Sequence, residues 1–132
     1  MSVARGIVDG LSIVPKNMKL ELNNLSGGNQ QKTLLGKWLA TKLDVLFLDE
    51  PTRGVDIGAK QAIHNNIRGL AESGMCIILI SSDLPELVAL SDRIVVLRNG
   101  RLVGEMRADD INEQNVLLAA NGEGKDFYVQ QK

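Results

Sequence analysis

The chain has 132 residues and is 44% hydrophobic, which fits one compact domain with a buried core and excludes a disordered segment. Fifteen basic and sixteen acidic side chains give a net charge of −1, so the basic surface typical of nucleic-acid-binding proteins is missing and we expect no nucleic-acid partner. The single cysteine, Cys76, excludes an internal disulfide, and its apolar neighbours predict a buried, unreactive thiol.

No apolar run approaches the roughly 20 residues that a helix needs to span a bilayer. The first residues, Met1–Gly6, lack the charged and then apolar pattern of a signal peptide. We therefore expect a cytoplasmic protein, in which any association with a membrane goes through a partner.

The first 24 residues carry the weakest pattern. Val3 to Leu11 is compatible with a short helix, although two glycines weaken it, and Pro15 prevents its continuation. From Leu25 the pattern is strong. Ser26 is a good N-cap, and a helix from about Gly28 to Thr41 follows. Its predicted apolar face comprises Leu34, Leu35, Trp38 and Leu39, so for the tryptophan we expect core packing rather than stacking on adenine.

Two short apolar runs predict strands that are buried on both faces, as in a parallel sheet. They are Val45–Leu48 and Met75–Ile80. Between them, a Pro-Thr-Arg-Gly loop leads into a helix from about Ile57 to Ser73, which Gly74 ends. The predicted buried face of this helix consists of Ile63, Ile67, Leu70 and Ala71.

The last third predicts a helix, a hairpin and a second helix. Asp83 and Glu86 resemble a capping box for a short helix that ends near Leu90. A third strand, Ile94–Leu97, should turn at Asn99-Gly100 and pair antiparallel with Arg101–Met106. For the remainder we expect a final helix capped by Asp109 or Asp110 and carrying Ile111, Leu117 and Leu118, then a polar tail from Asn121.

Alternation of strands and helices implies an α/β layer with parallel strands and right-handed crossovers. Ligands of such sheets bind at the carboxyl ends of the strands. Asp49 and Glu50 follow the first strand, and Ser81–Asp83 follow the second, so both groups are candidates for a binding site.

Ser26, Gly27 and Gly28 suggest an anion site at the start of a helix. Each glycine costs up to about 1 kcal/mol relative to alanine, which makes sense if a ligand must approach the backbone. The amides of Gly27, Gly28 and Asn29 would then face the anion, assisted by the helix dipole and the serine hydroxyl. The alternative is an ordinary serine-capped helix with a tight entry turn.

Asp49 and Glu50 suggest metal and water chemistry. Because side chains alternate along a strand, the two carboxylates face opposite sides. One can hold Mg²⁺ through water, and the other can orient or deprotonate an attacking water. The alternative is a pair of acidic residues in a strand-to-loop turn.

The combination is more specific than its parts. Leu25-Ser-Gly-Gly-Asn-Gln-Gln-Lys32, then Leu46-Phe-Leu-Asp-Glu-Pro-Thr52 and Gly54-Val-Asp56, resembles the ATP-binding subunits of ABC transporters. The asparagine after the glycines, with the segments Thr52–Lys60 and Ser81–Glu86, resembles the second nucleotide-binding domain of the monosaccharide-importer branch.

This resemblance implies a partial P-loop NTPase fold with a mainly parallel sheet, a C-terminal hairpin and a helix. It implies that residues 1–24 end a helical subdomain, that 25–120 form the C-terminal half of an ABC ATPase domain, and that 121–132 are a polar tail.

The resemblance also implies roles for particular residues. Asp49 would bind Mg²⁺ through water, and Glu50 would be the catalytic glutamate that polarises water. The signature motif, Leu25 to Asn29, would contact the γ-phosphate of ATP held by an opposing domain, and the D-loop aspartate, Asp56, would touch that domain. The implied nucleotide-binding residues are Leu25, Ser26, Gly27, Gly28, Asn29, Gln30, Asp56 and Ser82. Ser82 stands where many members carry a switch histidine, and serine supplies no imidazole.

The implied cofactors are ATP and Mg²⁺. The implied partners are a second nucleotide-binding domain, membrane permease subunits and, indirectly, a sugar-binding protein, at the cytoplasmic face of the plasma membrane. The sequence contains no Gly-x-x-x-x-Gly-Lys-Ser/Thr phosphate loop. We therefore expect negligible ATPase activity from this chain alone, and self-association or pairing with a complementary half.

Two alternatives remain open. The chain could be a non-catalytic module that supplies only its signature motif to ATP bound by a partner. It could also belong to the ABC-type ATPases of DNA repair or chromosome structure, although the long coiled-coil insertions and basic face of those proteins are not visible.

Overall fold

The computed structural model describes residues 3–41 and 43–123, which divide into two compact units, Met1–Ile80 and Ser81–Lys132. The first unit contains α1 (Val3–Gly10), α2 (Gly27–Leu39), β1 (Val45–Asp49), α3 (Ile57–Glu72) and β2 (Cys76–Ile80). The second contains α4 (Leu84–Leu90), β3 (Arg93–Arg98), β4 (Arg101–Arg107) and α5 (Glu113–Asn121). The predicted domain boundaries stay predictions, and most of the predicted tail lies outside the described residues.

The α/β class predicted from the sequence is confirmed, with one correction to the sheet. β1 and β2 pair in parallel, so that Val45 lies opposite Cys76 and Asp49 opposite Ile80. The predicted layer of parallel strands does not extend to β3, which pairs with β4 in a separate antiparallel sheet and confirms the predicted hairpin. The reason is local: Asn99 and Gly100 both have positive φ, 50° and 73°, which is the geometry that closes a two-residue hairpin.

The core of the first unit lies on one face of the β1–β2 sheet. Leu46 is 4% exposed and packs with three buried side chains from before β1, which are Leu11, Ile13 and Leu35. The prediction that both strands are buried on both faces is wrong. Since the helices of this unit cover one face, the alternate positions are exposed; they are Val45, Phe47, Cys76, Ile78 and Ile80, together called the bare face.

The predictions for Cys76 and Trp38 are corrected for related reasons. Cys76 is exposed because it pairs with Val45 on the bare face, so its thiol is not buried. Trp38 and Leu34 are each half-exposed, and of the predicted apolar positions of α2 only Leu35 is fully buried. The Lys37 ammonium lies 5.6 Å from the centre of the Trp38 ring, a cation–π distance at the surface.

The helix α3 confirms the predicted 3.6-residue pattern at its centre. Ile63 and Ile67 are 2% and 3% exposed, and Gly74 follows the helix with φ of 97°. Ala71 is exposed, so its predicted place on the buried face is wrong. It lies one position beyond Leu70, about 100° around the helix, which carries it off the buried stripe.

The second unit packs α5 against the hairpin, and its buried hydrophobic cluster consists of Ile94, Val96, Met106, Val116 and Ala119. The predicted caps of the last helix are wrong. Asp109 and Asp110 lie in a short 3₁₀ turn, and the Asn112 carboxamide oxygen accepts the backbone N–H of Asn115 at 2.9 Å.

The start of α5 at Glu113 places Ile111 before the helix instead of on it. Leu117 lies on the helix, as predicted, and is 51% exposed. The predicted cap of α4 is confirmed, because the Asp83 carboxylate accepts the Glu86 N–H at 2.9 Å. Within the described ranges, every helix is too short or too polar to cross a bilayer.

The bare face generates a prediction about association. Exposed apolar patches mark interaction surfaces, so we expect the chain to form species larger than its 14.4 kDa monomer in sedimentation velocity. Phe47→Lys should shift the chain toward the monomer, because Phe47 is 68% exposed at the centre of the patch.

Leu97→Lys is the matched control, since Leu97 is 72% exposed but lies on the hairpin of the other unit. A purely monomeric unsubstituted chain that melts cooperatively would contradict this prediction.

Candidate functional site

The signature segment, Leu25–Gln30, forms the entry to α2. Ser26 is the N-cap residue by position, with φ −61° and ψ 154°, but its hydroxyl does not accept a backbone N–H of the helix. The hydroxyl instead accepts the Asn29 side-chain N–H at 2.9 Å. Because a hydroxyl that accepts one hydrogen bond can still donate another, Ser26 retains the proton that an anionic ligand would need.

The asparagine and glutamine of this segment hold its shape. The Asn29 Oδ1 accepts the backbone N–H of Val14 at 3.0 Å, which ties α2 to the chain that precedes it. The Gln30 side-chain N–H donates to the Leu25 carbonyl at 2.9 Å. Both side chains therefore have structural partners, and their predicted contacts with a nucleotide remain predictions.

The two glycines occupy different surroundings. The Gln30 N–H donates to the Ser26 carbonyl at 2.9 Å, so the first-turn amides of residues 27–29 precede any helical acceptor. Gly27 is exposed, whereas Gly28 is buried, and a Cβ on Gly28 would overlap the Ala59 methyl. The close approach of α3 therefore explains why a glycine stands at position 28, and the sequence did not reveal this reason.

Asp49 and Glu50 lie at the carboxyl end of β1, as predicted. Asp49 is exposed, and the alternation of side chains along β1 places it on the bare face with Phe47. Glu50 has φ of 48°, a left-handed conformation that costs a non-glycine residue about 1–2 kcal/mol. Its N–H donates to the Ile80 carbonyl at 2.8 Å, which anchors the turn to β2. Strain of this kind concentrates at functional sites.

A small cavity lies beside Asp49, between α2, β1 and α3. Its volume is about 120 Å³, and Trp38, Phe47 and Ile67 are among the residues that line it. Pockets for small-molecule ligands are usually about 300–1,000 Å³. This cavity is therefore too small to be the binding pocket of a nucleotide.

The position of Asp49 is compatible with the way in which proteins usually hold Mg²⁺. Among residues 3–41 and 43–123, no group of three or more histidine, cysteine, aspartate or glutamate side chains is placed to hold a metal ion. Mg²⁺ is usually held by one or two carboxylates, waters and substrate phosphates rather than by a cage of protein ligands. A single exposed Asp49 at a strand end suits that mode, and the other ligands would come from nucleotide and water.

Asp56 caps α3 and was predicted to touch a partner. Its carboxylate accepts the backbone N–H of Ala59 at 2.9 Å, with extended φ and ψ of −71° and 162°. Sequence reasoning missed Ala59, which contacts the signature segment, because an alanine in a helix carries no chemical signal. Gly54, at φ of 75°, shapes the loop before Asp56.

Ser82 belongs to the second unit, whereas the other predicted site residues belong to the first. Its side chain is exposed, between Ser81 and the N-cap of α4. The Ser81 hydroxyl accepts the Asp83 N–H at 3.0 Å. Because Ser82 and the other predicted site residues belong to different units, its predicted role stays a prediction.

Comparison with known proteins tests the family resemblance. Residues 4–53 match the family described as ABC transporter. The chain is 47% identical over 119 residues to the xylose import ATP-binding protein of Moorella thermoacetica. It is 52% identical over 100 residues to a ribose import ATP-binding protein of Agrobacterium fabrum.

A crystal structure of a nucleotide-free ATP-binding cassette from an ABC transporter has the same fold. It superposes with a TM-score of 0.77 at 27% identity, over 87% of this chain. Over these regions the chain matches the ATP-binding domain of ABC transporters. The sequence resemblance to this family and to its sugar-import relatives is thereby confirmed.

The match covers only part of each relative. The aligned region includes 90% of this chain but 24% of the xylose import protein, and 76% of this chain but 20% of the ribose import protein. It includes 45% of the solved cassette. The chain thus spans about a quarter of the length of the curated relatives that it matches.

The capping hydrogen bond of Asp56 leads to a prediction about the free energy of unfolding of the chain. Asp56→Ala should lower the free energy of unfolding in urea by about 1 kcal/mol, because the Ala59 N–H loses its acceptor. Asp56→Asn should retain most of that stability, since its carboxamide oxygen can accept the same N–H.

Asp92→Ala, at an exposed aspartate before β3, is the control and should change little. Equal stabilities of Asp56→Ala and the unsubstituted chain, or equal losses in the alanine and asparagine variants, would contradict the capping role.

Proposed function

We propose that this chain is a part of the ATP-binding component of an ABC transporter that imports a monosaccharide. The observation that carries the proposal is the identity of 47–52% to import proteins named for xylose and ribose. Because relatives of similar identity are named for different sugars, this region does not select the sugar.

The proposed chemistry assigns one task to each carboxylate of β1. Asp49 holds Mg²⁺ through water, and when bound the ion neutralises charge on the nucleotide phosphates. Glu50 orients and polarises the water that attacks the γ-phosphate. Its left-handed backbone and its hydrogen bond to the Ile80 carbonyl support this role, since they hold the residue in one direction at the strand end.

The signature segment acts on a different ATP, held by a second nucleotide-binding domain. There the Ser26 hydroxyl and the first-turn amides of Gly27, Gly28 and Asn29 donate to phosphate oxygens, and Leu25 and Gln30 frame the turn. Asp56 contacts that second domain, and Ser82 is a nucleotide contact at the position where many family members carry the switch histidine. The dipole at the start of α2 favours the negative charge.

The proposed partners follow from the same role. They are a second nucleotide-binding domain, membrane permease subunits and, indirectly, a sugar-binding protein. The proposed location is the cytoplasmic face of the membrane, where the chain is peripheral. A further proposed partner is a complementary half of the same ATP-binding domain, which would cover the bare face. The apolar surface that Phe47 and Ile80 expose next to Asp49 supports this partner.

A second candidate function is favoured by the difference between the two sites. The signature segment is held by its own hydrogen bonds, Asn29 to Ser26 and Gln30 to Leu25. Asp49 instead borders the bare face and a cavity too small for a nucleotide. In this second candidate, the chain donates its signature segment to a partner's ATP and does not hydrolyse ATP at Glu50.

One experiment separates the two candidates. The chain is mixed with a full-length import ATP-binding protein, such as that of Moorella thermoacetica, and retained radiolabelled ATP and released phosphate are measured. Both candidates predict that ATP is retained in the mixture but not by this chain alone. Both predict that Ser26→Arg abolishes the retention, whereas Ser73→Arg, at the far end of α3, leaves it unchanged.

Glu50→Gln decides which candidate holds. Loss of phosphate release with retained ATP indicates hydrolysis at Glu50, and unchanged release indicates a signature donor. Tight ATP binding by this chain alone, or no ATP retention in any mixture, would overturn the proposal that the signature segment contacts ATP held by a second domain.

A further inference from the structure

The helices α2 and α3 begin side by side. Gly28, in the first turn of α2, is buried, and the position that a Cβ would take there overlaps the Ala59 methyl in the first turn of α3. The Cβ position of Gly27 lies 3.7 Å from the Gly54 carbonyl oxygen, which is ordinary van der Waals contact. The two glycines of the signature segment therefore both face residues 54–59.

Ala59 contacts two elements at once. Its methyl group fills the space that the missing side chain of Gly28 leaves, and its backbone N–H donates to the Asp56 carboxylate at 2.9 Å. One small residue thus connects the start of the signature helix to the aspartate that begins α3.

The opposite side of the α2 entry is also fixed. Asn29 accepts the Val14 N–H at 3.0 Å, and the Lys32 ammonium donates to the Ser12 carbonyl at 3.3 Å. A displacement of the first turn away from α3 would strain these hydrogen bonds. Since packed interiors absorb added volume poorly, a larger group at the Gly28–Ala59 contact should move the first turn as a unit.

We propose that Ala59 is a positioning residue: its contact with Gly28 sets the signature segment relative to Asp56, so that both meet one partner-bound ATP in register. The inference rests on the proposed function, because it concerns the ATP contacts of that same site. On this inference, position 28 is a glycine because α2 and α3 pack closely there.

The test uses the full 132-residue chain mixed with the import ATP-binding protein of Moorella thermoacetica, with ATP as the probe. Gly28→Ala and Ala59→Val should each raise the ATP concentration for half-maximal retention about tenfold, the size of one overpacked contact. The double variant Gly28→Ala/Ala59→Gly removes the overlap and should recover most of the loss. Ala71→Val, at an exposed position of α3, is the control and should have no effect.

Thermal unfolding of each variant separates stability from positioning. If Ala59 positions the signature segment, the ATP concentration for half-maximal retention rises for Gly28→Ala and Ala59→Val even at temperatures where these variants remain folded. A double variant that stays as impaired as Gly28→Ala would overturn the inference and assign Gly28 to direct ligand contact. No ATP retention by the unsubstituted mixture would instead overturn the proposed function, and the inference with it.

Discussion

The contact between Gly28 and Ala59 is the constraint on which the candidate site depends. Two helices can begin this close together only if one of them lacks a side chain at the crossing, and the burial of Gly28 shows that the space is filled. The contact gives the first turn of α2 a fixed neighbour. Without it, the serine hydroxyl and the first-turn amides would have no defined position relative to Asp56.

The signature segment and the end of β1 differ in how completely the rest of the chain surrounds them. The signature segment is held from three directions, by its own side chains, by Val14 and by α3. The end of β1 is anchored to β2 through Glu50, but Asp49 borders exposed apolar positions of the sheet. This difference supports the proposal that the signature segment serves ATP held by another domain.

Sequence reasoning predicted the elements whose causes are local. The hairpin at Asn99-Gly100, the cap at Asp83 and the central buried positions of α3 depend on residues a few positions apart, and they are confirmed. The family was also predictable, because its motifs are contiguous.

The failures concern burial, which depends on what covers an element. The apolar runs of β1 and β2 predict two covered faces, but Phe47 and Cys76 are exposed because the described helices cover only one. The Gly28–Ala59 contact joins residues 31 positions apart. No pattern within either helix could reveal it, and the sequence suggested only ligand approach or a tight entry turn as the reason for the glycine.

The central claim is that residues 12–14, the signature segment and residues 54–59 form one block. Amide hydrogen exchange of the chain tests it through two N–H groups that donate to side chains, Val14 to Asn29 and Ala59 to Asp56. We expect both to be protected, with opening free energies close to those of the interior amides of α2. Exchange of Val14 and Ala59 at the rate of an unstructured peptide, with the α2 interior still protected, would contradict the claim.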